Sequence, residues 1–282
     1  MKNIKRIEKK VSIVTGASSG LGRDIAKILC EKGHMVYAVA RRKNLLIELK
    51  KECVIYKGEI KIVDGDLTNE KFRENLIFTV VKESKQIDYL INNAGYGKLQ
   101  AFEDINLNDI KGMYALNSIA PEHLSQLVIP YMKKRKHGNI INIVSVVAFT
   151  PPPYFSVYNA TKAASYNFSK SLSYELFGTG ISVSVVCPSR MDTPFWTIAF
   201  KCKGLTGEKQ KICINKWTKG SVKSIKVAKY IVRHMNMKRF LILPDFPSKI
   251  YYYFLRHIVF VNDFIAKHIL RKKTEKLLNI KS

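Results

Sequence analysis

Residues Val11–Glu31 read VSIVTGASSGLGRDIAKILCE. Val11–Thr15 is short, β-branched and closed by a glycine, which is how a buried parallel strand reads. Beyond Arg23, the residues Ile25, Ala26, Ile28 and Leu29 fall at helical spacing. Between the two lies Gly16-Ala17-Ser18-Ser19-Gly20-Leu21-Gly22. A strand, a glycine-rich turn and a helix, in that order, open a dinucleotide-binding unit. The glycines let the backbone turn tightly and approach a pyrophosphate, and the helix N-terminus offers N–H groups and the positive end of its dipole. The spacing is T-G-x-x-x-G-x-G rather than G-x-G-x-x-G, so the strand–turn–helix context carries more weight than the glycines alone.

Outward from this unit, strands and helices alternate. A second strand, Met35–Ala40, runs into Arg41-Arg42-Lys43. The end of this strand reads the adenosine ribose: an acid accepts from the 2′-hydroxyl, whereas arginine accommodates a 2′-phosphate. Ala40 stands where the acid would fall, so Arg41 and Arg42 favour NADP(H) over NAD(H), with Arg23 adding charge. The plainer reading is that both arginines begin a solvated helix. Lys43–Cys53 is an amphipathic helix. Ile60–Val63 is a third strand ending in Asp64-Gly65-Asp66-Leu67, and Thr68 offers an N-cap to a helix Glu70–Lys85. Tyr89–Asn92 is a fourth strand, followed by Asn93-Ala94-Gly95. Helical pattern runs from Asn106 to Met132, with a kink or restart at Pro121. Asn139–Val144 and Ile181–Cys187 are strands five and six, separated by a long helix Phe155–Phe177. Residues Pro188–Gly220 show no regular pattern; Ser224–Met237 is helix and Phe240–Leu243 a last strand.

This alternation predicts an α/β, Rossmann-like doubly wound parallel sheet with helices on both faces and a C-terminal helical extension. Residues 1–246 form the dinucleotide-binding catalytic domain, with a substrate loop at about 188–223, and 247–282 the basic extension. Ligands in such sheets sit beyond the strand C-termini, where strand order reverses. The phosphate turn, Asp66, Asn93-Ala94-Gly95, Ser145 and Pro188 all follow strand ends and therefore converge on one edge.

Tyr158 and Lys162 lie four apart, on one face of the long helix. A cation beside a phenol favours the phenolate and lowers its pKa from about 10. Such a group trades protons with an alcohol or ketone near neutral pH. Alone, Tyr-x-x-x-Lys is common on surface helices.

With these motifs in order, the chain resembles the short-chain dehydrogenase/reductase family over roughly residues 9–245. The matches are Thr15–Gly22, N-N-A-G at Asn92–Gly95, the helical Asn117, Ser145, and Y-x-x-x-K at Tyr158–Lys162, with Ser145 thirteen residues before Tyr158. The resemblance implies a catalytic set of Asn117, Ser145, Tyr158 and Lys162. Tyr158 would be acid or base; Lys162 would lower its pKa and bind the nicotinamide ribose. Ser145 would hold the substrate oxygen, and Asn117 a water linking Lys162 to solvent. It also implies a cofactor cradle of Gly16, Ser18, Ser19, Gly20, Leu21, Gly22, Arg41, Arg42, Asp66, Leu67, Asn93, Ala94, Gly95, Tyr158, Lys162, Pro188 and Thr193. Asp66 would meet adenine, Thr193 the nicotinamide carboxamide, and Arg41 the NADP-selecting position. Plainer readings stand beside these: Asn117 satisfying buried backbone, Ser145 as a helix N-cap, Asp66 capping the helix after Thr68. The family's Pro-Gly after strand six is here Pro188-Ser189, which is strained if φ is positive.

The 282 residues carry 46% hydrophobic and 25% charged residues, as a soluble globular protein does. No apolar run reaches the length of a membrane span. The basic start, MKNIKRIEKK, is not followed by an apolar signal-peptide core. Cys30, Cys53, Cys187, Cys202 and Cys213 are dispersed, which reads as reduced thiols in the cytosol, and no His/Cys group has metal-ligand spacing. The net charge of +26 fits nucleic acid, anionic lipid or an acidic partner. The basic residues are spread rather than blocked, and Lys, Ile, Asn and Tyr are abundant together, as A/T-rich coding would produce. No nucleic-acid partner is therefore expected.

Ile250–Val261 is apolar nearly all round, and Lys267–Lys281 is mostly basic. The extension reads as an interfacial helix on anionic membrane, or as a helix packed over the pocket or a subunit interface. Together these readings give an NADPH-dependent carbonyl reductase, or an alcohol dehydrogenase in reverse, cytoplasmic and homo-oligomeric. The aromatic residues between Phe149 and Trp217 suggest a lipophilic substrate. A reductase of 3-oxoacyl groups on a carrier and a non-catalytic dinucleotide sensor or scaffold are the alternatives.

Overall fold

The computed structural model describes residues 9–201 and 206–278. The first half comprises β1 (Val11–Thr15), α1 (Gly20–Glu31), β2 (Met35–Ala40), α2 (Lys43–Cys53), β3 (Glu59–Asp64), α3 (Glu70–Ser84), β4 (Tyr89–Asn92), α4 (Leu107–Tyr114) and α5 (Ala120–Arg135). Then follow β5 (Gly138–Ile143), α6 (Ser156–Glu175), β6 (Ile181–Val186), β7 (Met191–Asp192), α7 (Phe195–Ala199), α8 (Gly207–Thr218), β8 (Val222–Lys223), α9 (Ser224–His234) and β9 (Leu241–Ile242). The extension carries α10 (Phe246–Ile250), α11 (Val259–Phe264) and α12 (Arg271–Leu278). One seven-stranded sheet has the order β3-β2-β1-β4-β5-β6-β9, every pair parallel. The chain winds outward from β1 to β3 and crosses back to place β4 on the other side of β1. The switch point therefore lies between β1 and β4, where a ligand crevice opens.

Parallel strands buried on both faces explain the sequence pattern. Val11 and Ile13 of β1 face a layer built with Leu76 and Val80 of α3 and Leu124 and Val128 of α5. Val14 faces the opposite layer, with Ile25 and Leu29 of α1 and Val227 and Ile231 of α9. Successive side chains point to opposite faces, so both need an apolar partner. Each such aliphatic side chain, when fully buried, stabilises the fold by roughly 1.5–3 kcal/mol.

Three expectations are corrected. The N-cap of α3 is Asn69, whose Oδ1 accepts from Phe72 N at 3.0 Å, because Thr68 donates both its N–H and its hydroxyl to Asp66 Oδ1 at 2.9 Å. The predicted break at Pro121 is a π-helical turn, Ala115–Ile119, joining α4 to α5. Proline lacks the N–H that would bond Asn117 O in an α-helix, and Ser165 Oγ donates to that carbonyl instead, at 2.8 Å. The stretch expected to be irregular, 188–220, holds β7, α7 and α8, with β7 paired to β8.

No helix among the described residues is long and apolar enough to cross a membrane. Cys30, Cys53, Cys187 and Cys213 are free thiols. Cys202, most of the basic N-terminal stretch and the last residues of the basic tail lie outside the described residues.

Candidate active site

A cavity of about 800 Å³ opens at the switch point. Its floor is the turn between β1 and α1. Ser19 begins α1 without a side-chain capping bond, and no acid occupies the first helical turn. The N–H groups there are consequently available to an anion. Gly22 must lack a side chain: a Cβ would fall 2.4 Å from Asn93 Nδ2 and 2.5 Å from Gly16 O. Asn93 occupies that space because it latches β4 to β1. Its Nδ2 donates to Thr15 O at 2.9 Å, while Thr15 Oγ1 accepts from Asn93 N at 2.9 Å and Ala94 N at 3.0 Å.

The basic pair beyond β2 divides its work. Arg42 reaches back over the turn, donating through Nε and Nη2 to Ser18 Oγ (3.2 and 2.9 Å) and through Nη2 to Ser19 Oγ at 2.6 Å. Arg41 is exposed at the cavity rim. Arg23, expected to add charge here, points away. It donates to Leu45 O at 3.0 Å and pairs with Glu52 at 2.7 Å, drawn off by the carboxylate on α2.

Tyr158 and Lys162 sit in the first turns of α6, both buried. Tyr158 packs between Phe155, at 4.5 Å between ring centroids, and Phe195, at 5.4 Å. Lys162 Nζ donates to Ile143 O at 2.9 Å and lies 5.7 Å from the centre of the Tyr158 ring. In this geometry burial sets the direction of both titrations. Burial pushes the Tyr158 phenol above its ordinary value and pushes the Lys162 ammonium down to about 8. Both follow from removing a charged form from water. Cys187, buried nearby, is pushed up to about 12 by the same cause.

Ser145 begins a short 3₁₀ turn, its Oγ accepting from Val147 N at 3.3 Å. The capping reading thus holds without excluding the other. The hydroxyl oxygen takes a backbone N–H and its own hydrogen stays available to the cavity it lines. Asn117 is buried behind the wall rather than in it. Its Nδ2 donates to Tyr96 O at 2.8 Å and Thr161 Oγ1 at 3.0 Å, and its Oδ1 accepts from Tyr96 N at 3.0 Å. Its carbonyl accepts from Ser165 Oγ at 2.8 Å and keeps a second lone pair. Gly95 separates it from the lysine: a Cβ there would lie 3.0 Å from Asn117 Oδ1 and 3.6 Å from Lys162 Nζ.

Gly16, Ser18, Ser19, Gly20, Leu21, Arg41, Arg42, Asp66, Leu67, Asn93, Ala94, Gly95, Ser145, Tyr158, Lys162, Pro188 and Thr193 all line this one cavity. Gly22 and Asn117 stand behind it as supports. Thr193 faces the phosphate turn, since a Cβ on Gly20 would meet Thr193 Cβ at 3.2 Å. Asp66 lines the cavity and accepts from Thr68 N and Oγ1, but it does not cap the helix after Thr68, whose N-cap is Asn69. Ser189 is not among the residues with positive φ, so replacing glycine here brings no such strain; its N–H donates to Asp245 Oδ2 at 3.1 Å.

One support of the site escaped the sequence reading. Tyr96 and Thr161 hold Asn117. The aromatic wall joins Phe195, Trp196 and Trp217, with Trp196 and Trp217 centroids 5.8 Å apart. The extension also folds back over the cavity. Leu277 and Leu278 pack into the aromatic cluster, Tyr154 donates to Glu275 Oε1 at 2.6 Å, and Tyr251, Leu255, Ile265 and Leu270 line the cavity. Of its two readings, packing over the pocket is realised.

A proton donor at the switch point of a Rossmann-type sheet is the architecture of a dinucleotide-dependent oxidoreductase. The sequence pattern of the short chain dehydrogenase family matches residues 10–201, and the chain belongs to that family. It is 34% identical over 189 residues to an uncharacterized oxidoreductase of Staphylococcus epidermidis, covering 67% of this chain and 81% of that one. It is 31% identical over 189 residues to a 3-ketodihydrosphingosine reductase of Bacteroides thetaiotaomicron, covering 67% of this chain and 66% of the relative. Among solved structures, a short-chain dehydrogenase from Sphingobium yanoikuyae in complex with NADPH superposes with a TM-score of 0.75 at 24% identity, over 92% of this chain and 96% of that one.

Proposed function

We propose that this chain is an NADPH-dependent reductase converting a lipophilic ketone to an alcohol, or running the reverse oxidation. One observation carries the reading. The buried phenol of Tyr158 shares a single cavity with Ser145, Lys162 and the glycine turn, between aromatic walls. The turn fits a dinucleotide: its helix N-terminus has no side-chain cap, and Gly22 lies where a side chain would clash. Arg42 over Ser18 and Ser19, with Arg41 at the rim and Ala40 in place of an acid, supports a 2′-phosphate over a 2′-hydroxyl.

The chemistry that a nicotinamide would supply here is a hydride for the carbonyl carbon. The protein supplies the proton. Burial keeps Tyr158 protonated at neutral pH, the state that donates to the developing alkoxide. Ser145 donates its hydroxyl hydrogen to the same oxygen and steadies its charge. Lys162, cationic below about pH 8, offsets the phenolate left on Tyr158 after donation. Phe155, Phe195 and Trp196 exclude water and offer apolar contact to the substrate. The relative named as a 3-ketodihydrosphingosine reductase acts, by that name, on a lipid ketone, which agrees with such a lining.

The test is a panel of sterol, acyl and small polar ketones, followed at the NADPH absorbance. Lipophilic ketones are expected to turn over with the higher kcat/KM. A panel without turnover under either cofactor would remove the reading.

A further inference from the structure

The extension has a second face. Tyr251, Leu255, Ile265 and Leu270 look into the cavity. On the other side Phe246 is 74% exposed, Phe254 61%, Phe260 77% and Phe264 59%. Phe246, Ile250, Tyr253 and Phe254 recur at helical spacing, as do Phe260, Phe264 and His268, so each segment carries an outward stripe. Soluble monomers rarely leave contiguous aromatic surface to water without use for it.

The charge around these stripes has one sign. Residues 246–278 hold seven Lys or Arg against two acids. Of the acids, Glu275 is already engaged by Tyr154 and by Arg271 at 2.7 Å, which leaves Asp263. Lys249, Arg256, Lys267, Lys272 and Lys273 are exposed. Exposed aromatics within a cationic rim match the apolar boundary and anionic headgroups of a lipid surface. A second copy is a poor match, because each chain carries +26 and brings the same sign to the contact. The helices here are too short to span, so the fit is to lying on the surface.

We infer that the outward face of residues 246–270 docks the protein on an anionic lipid bilayer and sets the cavity beside the lipid. A lipophilic ketone then enters from the membrane past Tyr251 and Leu255 without crossing water. That consequence rests on the reductase reading; the docking does not.

The experiment uses the full chain and sedimentation with vesicles, one set of phosphatidylcholine alone and one with about 30% phosphatidylserine. The parent is expected to sediment with the anionic vesicles and little with the neutral ones. Sedimentation should fall at 1 M salt, where the Debye length is only about 3 Å. The double variant Phe254→Glu, Phe260→Glu is expected to sediment at least about tenfold less. Its NADPH binding and its turnover of a water-soluble ketone should match the parent, since neither side chain lines the cavity. Equal sedimentation with both vesicle types, or none, overturns the inference. So does a double variant that sediments like the parent, or one that converts a dimeric parent to a monomer, which would give this face to a second copy. Vesicle binding without any ketone turnover would sink the reductase reading alone.

Discussion

Lys162 stands 5.7 Å from the centre of the Tyr158 ring and is braced by Ile143 O at 2.9 Å. The brace comes from β5, so the ammonium is fixed relative to the sheet while the phenol is fixed by its aromatic neighbours. Neither depends on the other for placement, and removing one hydroxyl leaves the remainder standing. Tyr158→Phe keeps the contacts to Phe155 and Phe195 and deletes only the proton donor. Ketone reduction is expected to fall by about 10²–10⁴-fold, the usual worth of a positioned general acid. NADPH affinity should change by less than about threefold, or roughly 0.6 kcal/mol. Single-turnover kinetics with titration of cofactor fluorescence separates the two; turnover close to the parent's would strip Tyr158 of its role.

The pH dependence has a definite sign. Burial raises Tyr158, so it stays a donor across the neutral range, and lowers Lys162 to about 8. Reduction should be level below pH 8 and decline above it, as the lysine loses the charge that offsets the phenolate. Folding stability moves the other way. Lys162 titrates near 8 in the fold and at its ordinary 10.5 when unfolded, so its buried charge penalises the fold below pH 8. That penalty is relieved between pH 8 and 10.5, by at most about 3 kcal/mol for this group. Denaturant titrations of the parent and of Lys162→Met across that range should diverge in slope. Parallel curves, with a rate profile level to pH 10, would contradict the depressed lysine.

The strand and turn positions were legible because their causes are local. A strand buried on both faces must be an apolar run, and β1, β2 and β4 match their expected limits. The glycine turn announced itself for the same reason: close backbone approach admits one residue type. The acidity of Tyr158 was not legible, because the sequence shows a lysine four residues on but not the walls that bury both. Support for Asn117 comes from Tyr96 and Thr161, which only tertiary contact brings together. Helix α8 was missed although Cys213, Ile214 and Trp217 keep helical spacing; its apolar side is thin, and only the tertiary fold brings Trp196, Phe200, Leu277 and Leu278 to it.

Cofactor choice is expected to rest on Arg42 at least as much as on Arg41. Arg42 ties the β2 end to Ser18 and Ser19, so its loss removes both a cation and the brace on the turn. Arg42→Ala should weaken NADPH by about 10- to 100-fold, the span of a charge-assisted hydrogen bond to phosphate, and NADH by only a few-fold. Arg41→Ala should weaken NADPH alone, since Arg41 braces nothing in the turn. Calorimetric titration of both cofactors against both variants gives four constants. Equal losses for NADPH and NADH in both variants would show that the 2′-phosphate is read elsewhere.

One carboxylate ties α12 to the loop before α6. Glu275 accepts from Tyr154 at 2.6 Å and from Arg271 at 2.7 Å, and these hydrogen bonds hold its pKa below the usual carboxylate range. Tyr154 reaches it from a left-handed backbone, φ +62°, a conformation that disfavours any residue with a Cβ and so must be sustained by its contacts. The carboxylate is ionised throughout the neutral range, so the clasp is complete there and opens only as pH falls into the acid range. Glu275→Gln keeps the shape and loses the charge that both donors favour. Leu277 and Leu278 should then leave the aromatic cluster more readily, exposing Phe155, Trp196 and Trp217 to water. The expected readouts are faster proteolysis within α12 and a raised KM for lipophilic ketones, with kcat on a small ketone retained because Tyr158, Lys162 and Ser145 lie on other elements. A variant as resistant to protease as the parent, with KM unchanged, would show that α12 is held by its apolar contacts and that the carboxylate is incidental.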